Sequence, residues 1–217
     1  MDSKAESLRS TPIPRLPCLR RSSPVATQIP PGEPGGRIVD GAEIGRPGFL
    51  MDATVILFVG TELRARETSS ALERHNSQLL MWPRELADGR IELLPEDYGT
   101  INELTADADM IFTPPIEDHH QDHRAVAWLG KSAIRRRPIT LVEYETPSRL
   151  DTSSPNAYKP LSSRDVYDHL DALAAHKSQS SKTYLHPDSV RAKLKTHGER
   201  IGHEFAAAFT IQRFTFD

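Results

Sequence analysis

One cysteine, Cys18, is all that the 217 residues hold. An internal disulfide framework and any CxxC zinc site are thereby excluded. Long apolar runs are missing too, and none approaches the ~20 residues that a membrane-spanning helix needs. The N-terminus carries arginines and serines, but also Asp2 and Glu6, and has no apolar h-region. It does not read as a secretory signal. Positive charge is not in excess: the formal net charge is −3 and the pI about 6.3. Phosphate-binding surfaces are usually basic, so nucleic acid is not expected as the main partner. There is no internal repeat. These exclusions leave a cytoplasmic enzyme or binding protein, with no membrane partner, on a chain that suits one medium α/β domain.

Residues 1–48 differ from the rest. "STPIPRLPCLRRSSPVATQIPPGEPGGRIVDGAEIGRPG" is dense in Pro, Gly, Ser and Arg and lacks apolar periodicity. Such a segment cannot bury enough surface to offset its ordering entropy, and a disordered tail is expected. Residues 49–217 read as the folded domain. "TVILFVG" (54–60) is a β-branched apolar run suited to a strand buried on both faces. A helix over 62–75 and a second strand at "QLLMW" (78–82) follow. "ADGRIELL" is a turn with a short extended piece, and "DYGTINELTAD" holds a short helix. "DADMIFTPP" is a third strand stopped by two prolines. "HRAVAWLGKSAIRR" (123–136) is a helix, with Arg135, Arg136 and Arg137 complementing its dipole at the C-terminal end. "PITLVEYE" (138–145) is a fourth strand, and "TPSRLDTSSPNAYKP" a loop. Helices are expected over 163–179 and 187–209, and "TIQRFTF" is a last strand. Alternating strands and helices predict an α/β, mostly parallel sheet.

The concentrated chemistry is "EDHHQDHRAV", with three histidines and three carboxylates between Glu117 and His123. In α/β sheets ligands gather outside the carboxyl ends of strands, and this cluster follows such an end. With a helix beginning near His120, His120 and His123 share a face. One of them can ligate a metal while the other polarises a carbonyl or stabilises an oxyanion. Asp118 or Asp122 can hold an imidazole in the required tautomer. Asp118 can equally be a helix cap. A catalytic zinc wants about three protein ligands and an open position, so a partner site elsewhere is required.

"DADMIFTPPIEDHHQDHRAV" resembles the D-x-H-x-D-H segment of the PIG-L/LmbE-type deacetylases. "LVEYETPS" (141–148) is similar to that family's "YETPST" strand and loop, "SPNAY" (154–158) to its "PN" segment, and "ALAAHKSQ" (172–179) to its "H-x-SQ" helix. "HGERIGHEFAAAF" (197–209), "LRARETSSALERH" and "DGRIELL" also look like family segments, so the resemblance covers about 54–213. It implies a Rossmann-like three-layer fold and a zinc-dependent hydrolase that removes an N-acyl group, typically N-acetyl, from an amino-sugar-like substrate. His123 then takes the metal-ligand position. His120 takes that of the histidine stabilising the tetrahedral intermediate, and Asp122 is the catalytic carboxylate beside them. Tyr144 and Glu145 become pocket wall. His176 lines the pocket or merely packs, and Gln179 with Ser178 binds substrate or caps a helix. The implied chemistry is metal-assisted attack of water on an amide carbonyl.

The family's other half-site, "HPDDE" after the first strand, has no counterpart in "VILFVGTELRARE". An N-terminally truncated fold is therefore expected, lacking the first strand, the motif and the first helix. The abrupt change where "MDATVILFVG" begins is what a misplaced 5′ exon or frame would produce. Without those ligands tight Zn2+ binding is not expected. The alternative reading is a non-catalytic relative that binds a ligand or partner without turnover. A lost strand should also expose a sheet edge, leaving the chain poorly stable unless an oligomer or another chain covers it. "HPD" recurs only at His186–Asp188, where Pro187 suits a helix start. His75, His169, His197 and His203 read as surface residues on helices, and Ala207 stands where the family commonly has Glu.

Overall fold

The computed structural model describes residues 53–58, 61–73, 77–84, 86, 89–150 and 154–215. The Pro-rich segment, Cys18 and His75 lie outside the described residues. Strand β1 (Ala53–Leu57) pairs in parallel with β2 (Ser77–Met81) through helix α1 (Glu62–Leu72). Thr61 opens α1 by accepting the Arg64 N–H at 3.3 Å, as an N-cap should. Helix α2 (Pro95–Leu104) precedes β3 (Met110–Thr113), and helix α3 (Gln121–Ala133) links β3 to its parallel neighbour β4 (Thr140–Tyr144). Strand β5 (Ala157–Leu161), helix α4 (Ser163–Ala174), helix α5 (Pro187–Arg200) and strand β6 (Phe205–Arg213) complete the chain.

The layers follow from strand alternation. On one face, Val55 of β1, Phe112 of β3, and Val142 and Tyr144 of β4 pack with Leu72 of α1, Val166 of α4 and Leu194 of α5. On the other, Ile56, Ile111 and Leu141 pack with Ile101 of α2 and Val126 and Leu129 of α3. Helices thus cover both faces, and the three-layer α/β architecture is the expected Rossmann-like one. Gly130 lets α3 sit close on β3, because a Cβ there would meet the Thr113 methyl at 2.3 Å.

Three details depart from the expectations. The sheet is mixed: β6 runs antiparallel to both β4 and β5, so parallel ladders are only half of those seen. The loop expected over 146–160 contains β5, whose Pro160 is tolerated because β5 is the edge strand of the order β3-β4-β6-β5. "EFAAAF", read as helix from its alanines, is strand. Phe205 to Phe209 are all buried and pair with β5, with Phe209 pairing with β4 as well, and that pairing and burial override helix propensity. In addition, no ladder joins β1 to β3 among the described residues, so the strands form a two-stranded and a four-stranded sheet.

Candidate functional site

Strand β3 ends at Thr113, two prolines stop it, and residues 116–120 turn over the carboxyl ends of β3 and β4 before α3 begins. That turn is tied to the loop after β4. Asp118 forms a β-bridge with Arg149, the His119 N–H donates to the Ser148 carbonyl at 2.9 Å, and the Leu150 N–H donates to the Glu117 carbonyl at 3.1 Å. Arg124 clamps the same turn by donating to the carbonyls of Asp118 and His119 at 2.6 and 2.8 Å.

Within this frame Asp118 is buried and collects donors. Its Oδ1 accepts the His120 N–H at 2.7 Å, and its Oδ2 lies 2.9 Å from His123 Nδ1 and accepts the Thr146 hydroxyl. Burial alone would raise its pKa. The hydrogen bonds from His123, Thr146, Ser148 and the His120 N–H outweigh that and hold it well below the usual carboxylate range. A carboxylate facing Nδ1 fixes the tautomer: His123 carries its proton on Nδ1, and Nε2 is the basic nitrogen. Ser148 Oγ adds a contact to the same Nδ1 at 3.2 Å.

His120 is set the other way. It is the N-cap of α3, and its Nδ1 accepts the Asp122 N–H at 3.3 Å. An accepting Nδ1 puts the proton of a neutral imidazole on Nε2. The two rings stack with centroids 4.7 Å apart and 28° between planes. One strand end therefore presents two imidazoles of opposite polarity, a basic nitrogen beside an N–H donor. That combination can take a proton from water, or lend a lone pair to a metal, while hydrogen-bonding a carbonyl oxygen.

The other expected site residues fall in different places. The Asp122 carboxylate points away from the imidazoles and accepts the N–H groups of Gly89 and Ile91 at 2.7 and 2.8 Å. Gly89 adopts φ 76°, a conformation glycine takes without strain, so the "DGRI" turn can fold onto this carboxylate. Tyr144 is buried in the core cluster shared with α4 and α5. Glu145 lies beside the site, through Arg149 at 3.9 Å. Its Oε2 lies 2.7 Å from His197 Nε2 and 3.2 Å from Lys193 Nζ. Burial would raise the Glu145 pKa, but the His197 hydrogen bond and Lys193 bring it down to about 2. His176 and Gln179 form a separate corner. There Glu67 of α1 accepts the Ser178 N–H and hydroxyl at 2.7 and 2.6 Å, and Gln179 donates to Ser178 Oγ at 3.2 Å. Burial lowers the pKa of His176 in that corner. No hydrogen bond or ion pair joins it to the histidine pair among the described residues.

Thr146, Ser148 and Arg149 carry much of this geometry, and reading the sequence for acids and imidazoles passed over them. Their signal was the hydroxyl pair in "ETPSR". His197 and His169, expected at the surface, are buried, whereas His203 is exposed as expected. His186 caps α5 with its Nδ1 accepting the Asp188 N–H at 3.4 Å, and both side chains are exposed. Among the described residues, no group of three or more His, Cys, Asp or Glu side chains is placed to hold a metal ion.

No family model matches the sequence, and no curated protein does. Solved structures do match in fold. The 4-carboxy-2-hydroxymuconate hydratase GalB from Pseudomonas putida aligns with a TM-score of 0.67 at 10% identity, over 85% of this chain and 99% of its own. The N,N'-diacetylchitobiose deacetylase from Pyrococcus horikoshii gives 0.62 at 16% identity, over 82% and 83%. The zinc-inhibited form of the teicoplanin deacetylase Orf2 gives 0.57 at 11% identity, over 81% and 97%. The chain has the Rossmann-like α/β fold that these deacetylases share. At these identities the likeness concerns fold, and the hydratase shows that the fold also carries other chemistry.

Proposed function

We propose that the corner built by Asp118, His120 and His123 binds the N-acyl group of an amino-sugar-like substrate and belongs to a deacetylase-type hydrolase. The observation carrying this reading is the pair of stacked imidazoles with opposite polarity, one held by Asp118 Oδ2 and one by the Asp122 N–H. The His120 Nε2–H donates to the acyl oxygen and strengthens its hold as that oxygen gains negative charge. The proton-free Nε2 of His123 faces the water side of the amide, where Asp118 stabilises any positive charge the ring acquires. The similar folds of two deacetylases support the class of reaction.

Among the described residues, the donor set does not fit a resident zinc. His123 offers one ligating nitrogen, a catalytic zinc wants about three protein ligands, and no such group is assembled among the described residues. The same observation favours a second reading, in which the corner binds an N-acyl ligand without turning it over.

One experiment separates them. The purified chain is incubated with N-acetylglucosamine and N,N'-diacetylchitobiose, with and without added Zn2+. Acetate release and ligand-observed NMR binding are measured for the wild type, His120→Ala and His123→Ala. Release that both substitutions abolish supports the hydrolase. Binding without release, lost in His120→Ala, supports the binder. Neither binding nor release with either sugar overturns both.

A further inference from the structure

The turn at 116–120 and the loop at 146–150 hold each other. Thr146 donates its hydroxyl to Asp118 Oδ2, and Ser148 Oγ lies 3.2 Å from His123 Nδ1. The His119 N–H donates to the Ser148 carbonyl, and the Leu150 N–H to the Glu117 carbonyl. Each of these contacts starts on the loop, and none of them ties the loop to the sheet. A loop free to swing would carry both hydroxyls away from Asp118 and His123. Arg149 supplies a tie. Its backbone forms the bridge with Asp118, while its side chain, only 8% exposed, turns to the sheet. There Nη2 donates to Thr210 Oγ1 of β6 at 3.0 Å, and Nη1 lies 3.9 Å from Glu145 Oε1. Both anchors are themselves fixed. Thr210 pairs with Glu143 of β4 in the antiparallel ladder, and Glu145 Oε2 is held by His197 and Lys193 of α5. A guanidinium presents its N–H groups in a rigid fork and can address two acceptors at once, which an ammonium on a flexible stem does not do.

We infer that Arg149 is a positioning residue for the Asp118–His123 pair: its guanidinium pins the loop at 146–150 to β6 and so keeps the Thr146 and Ser148 hydroxyls on that pair. It acts on the imidazole through those two hydroxyls, in the way that outer partners orient a working histidine. The bond to Thr210 is charge-assisted and largely shielded from water, so it is stronger than an ordinary surface contact. Its role in turnover rests on the proposed hydrolase reading. Its role in holding the loop does not.

Hydrogen exchange of the full chain, followed by NMR, tests the assignment. Arg149→Met keeps the stem and removes the fork. The amides of His119 and Leu150, and the His123 Nδ1–H, are expected to exchange roughly tenfold faster, while the amides of β3 and β4 keep their wild-type rates. Thr210→Val removes the acceptor, leaves the arginine in place and should give the same local pattern. The double variant should be no worse than Arg149→Met, since both changes break one bond. Arg149→Lys should restore part of the protection, because its ammonium serves one partner. Where Arg149→Met does not fold, Thr210→Val decides. Unchanged exchange at His119, Leu150 and His123 in Thr210→Val would overturn the assignment. So would an equal acceleration in β3 and β4, which would make the arginine a general staple of the fold. With an active wild type, Arg149→Met should lower kcat for acetate release roughly tenfold and leave KM as it was, because the loop acts on His123 and not on the sugar. A raised KM with kcat unchanged would make Arg149 a substrate contact and overturn its positioning role. A wild type that releases no acetate would count against the hydrolase reading, and the exchange pattern would still decide the role of Arg149.

Discussion

Two carboxylate–imidazole pairs sit on either side of Arg149, and their likeness ends at the contact. Asp118 Oδ2 and His123 Nδ1 are 2.9 Å apart, and Glu145 Oε2 and His197 Nε2 are 2.7 Å apart. Both acids are held ionised against burial, but by different means. Asp118 relies first on His123 and then on neutral donors, the hydroxyls of Thr146 and Ser148 and a backbone N–H, with no lysine or arginine among them. Glu145 relies on Lys193 as well as His197. The second nitrogens differ as well. His197 Nδ1 is buried with no hydrogen-bond partner, whereas His123 belongs to a ring stacked on the exposed His120. Neutral donors fix a tautomer without adding a competing cation, so the first pair suits chemistry. A cation-backed pair buried between α5 and β4 suits holding those elements together.

The largest effect should come from Asp118. Removing it as Asp118→Ala strands the His120 N–H, His123 Nδ1 and the buried Thr146 hydroxyl, and should cost about 3 kcal/mol in urea unfolding. Asp118→Asn keeps the volume but offers His123 an amide. Substrate affinity or turnover should fall about 10–100-fold with the fold retained, and imidazole 15N shifts should report a mixed tautomer at His123. Unchanged 15N shifts would remove the chemical half of the comparison.

Glu145 comes next, and its effect depends on pH. Its folded-state pKa of about 2 lies below the ordinary 4.5. Its contribution is therefore complete above that ordinary value and lost as pH falls from about 4.5 toward 2. Glu145→Gln should lower stability by roughly 2–3 kcal/mol at pH 7, and less at pH 3, in denaturant titrations at the two pH values. An equal loss at both would mean that the pair acts through packing alone.

The site was half legible in the sequence. His120 and His123 could be placed on one face because helical spacing is local and a strand end precedes them. That Asp118 orients His123 while Asp122 holds the Gly89 turn could not be read, since both acids flank the same histidines. What separates them is contact with loops 28 and 31 or more residues away. His197 looked solvated among charges, yet its partner Glu145 is 52 positions away on another element. The fold followed the same rule. Strands with apolar, β-branched runs were found, whereas β5 and the alanines of β6 became strands only through pairing with each other.

Asp122→Ala should have a smaller effect. Freeing the Gly89 and Ile91 N–H groups should cost about 1–2 kcal/mol and speed amide exchange at 89–91, leaving the His123 tautomer as it was. A change of tautomer there would instead bring Asp122 into the imidazole pair.

The smallest expected effect is the most selective. Ser148 touches His123 Nδ1 through Oγ at 3.2 Å, and its backbone carbonyl accepts the His119 N–H whatever the side chain. Ser148→Ala therefore removes one neutral donor from the Asp118 corner and nothing from the bridge to the turn. Thr146, His123 and the His120 N–H remain to hold the carboxylate ionised. Stability should fall by no more than about 1 kcal/mol, and the His123 15N pattern should stay that of an Nδ1-protonated ring. If the pattern shifts as far as in Asp118→Asn, the hydroxyl rather than the carboxylate sets the tautomer. The contrast with the cation-backed Glu145 pair would then rest on a single serine.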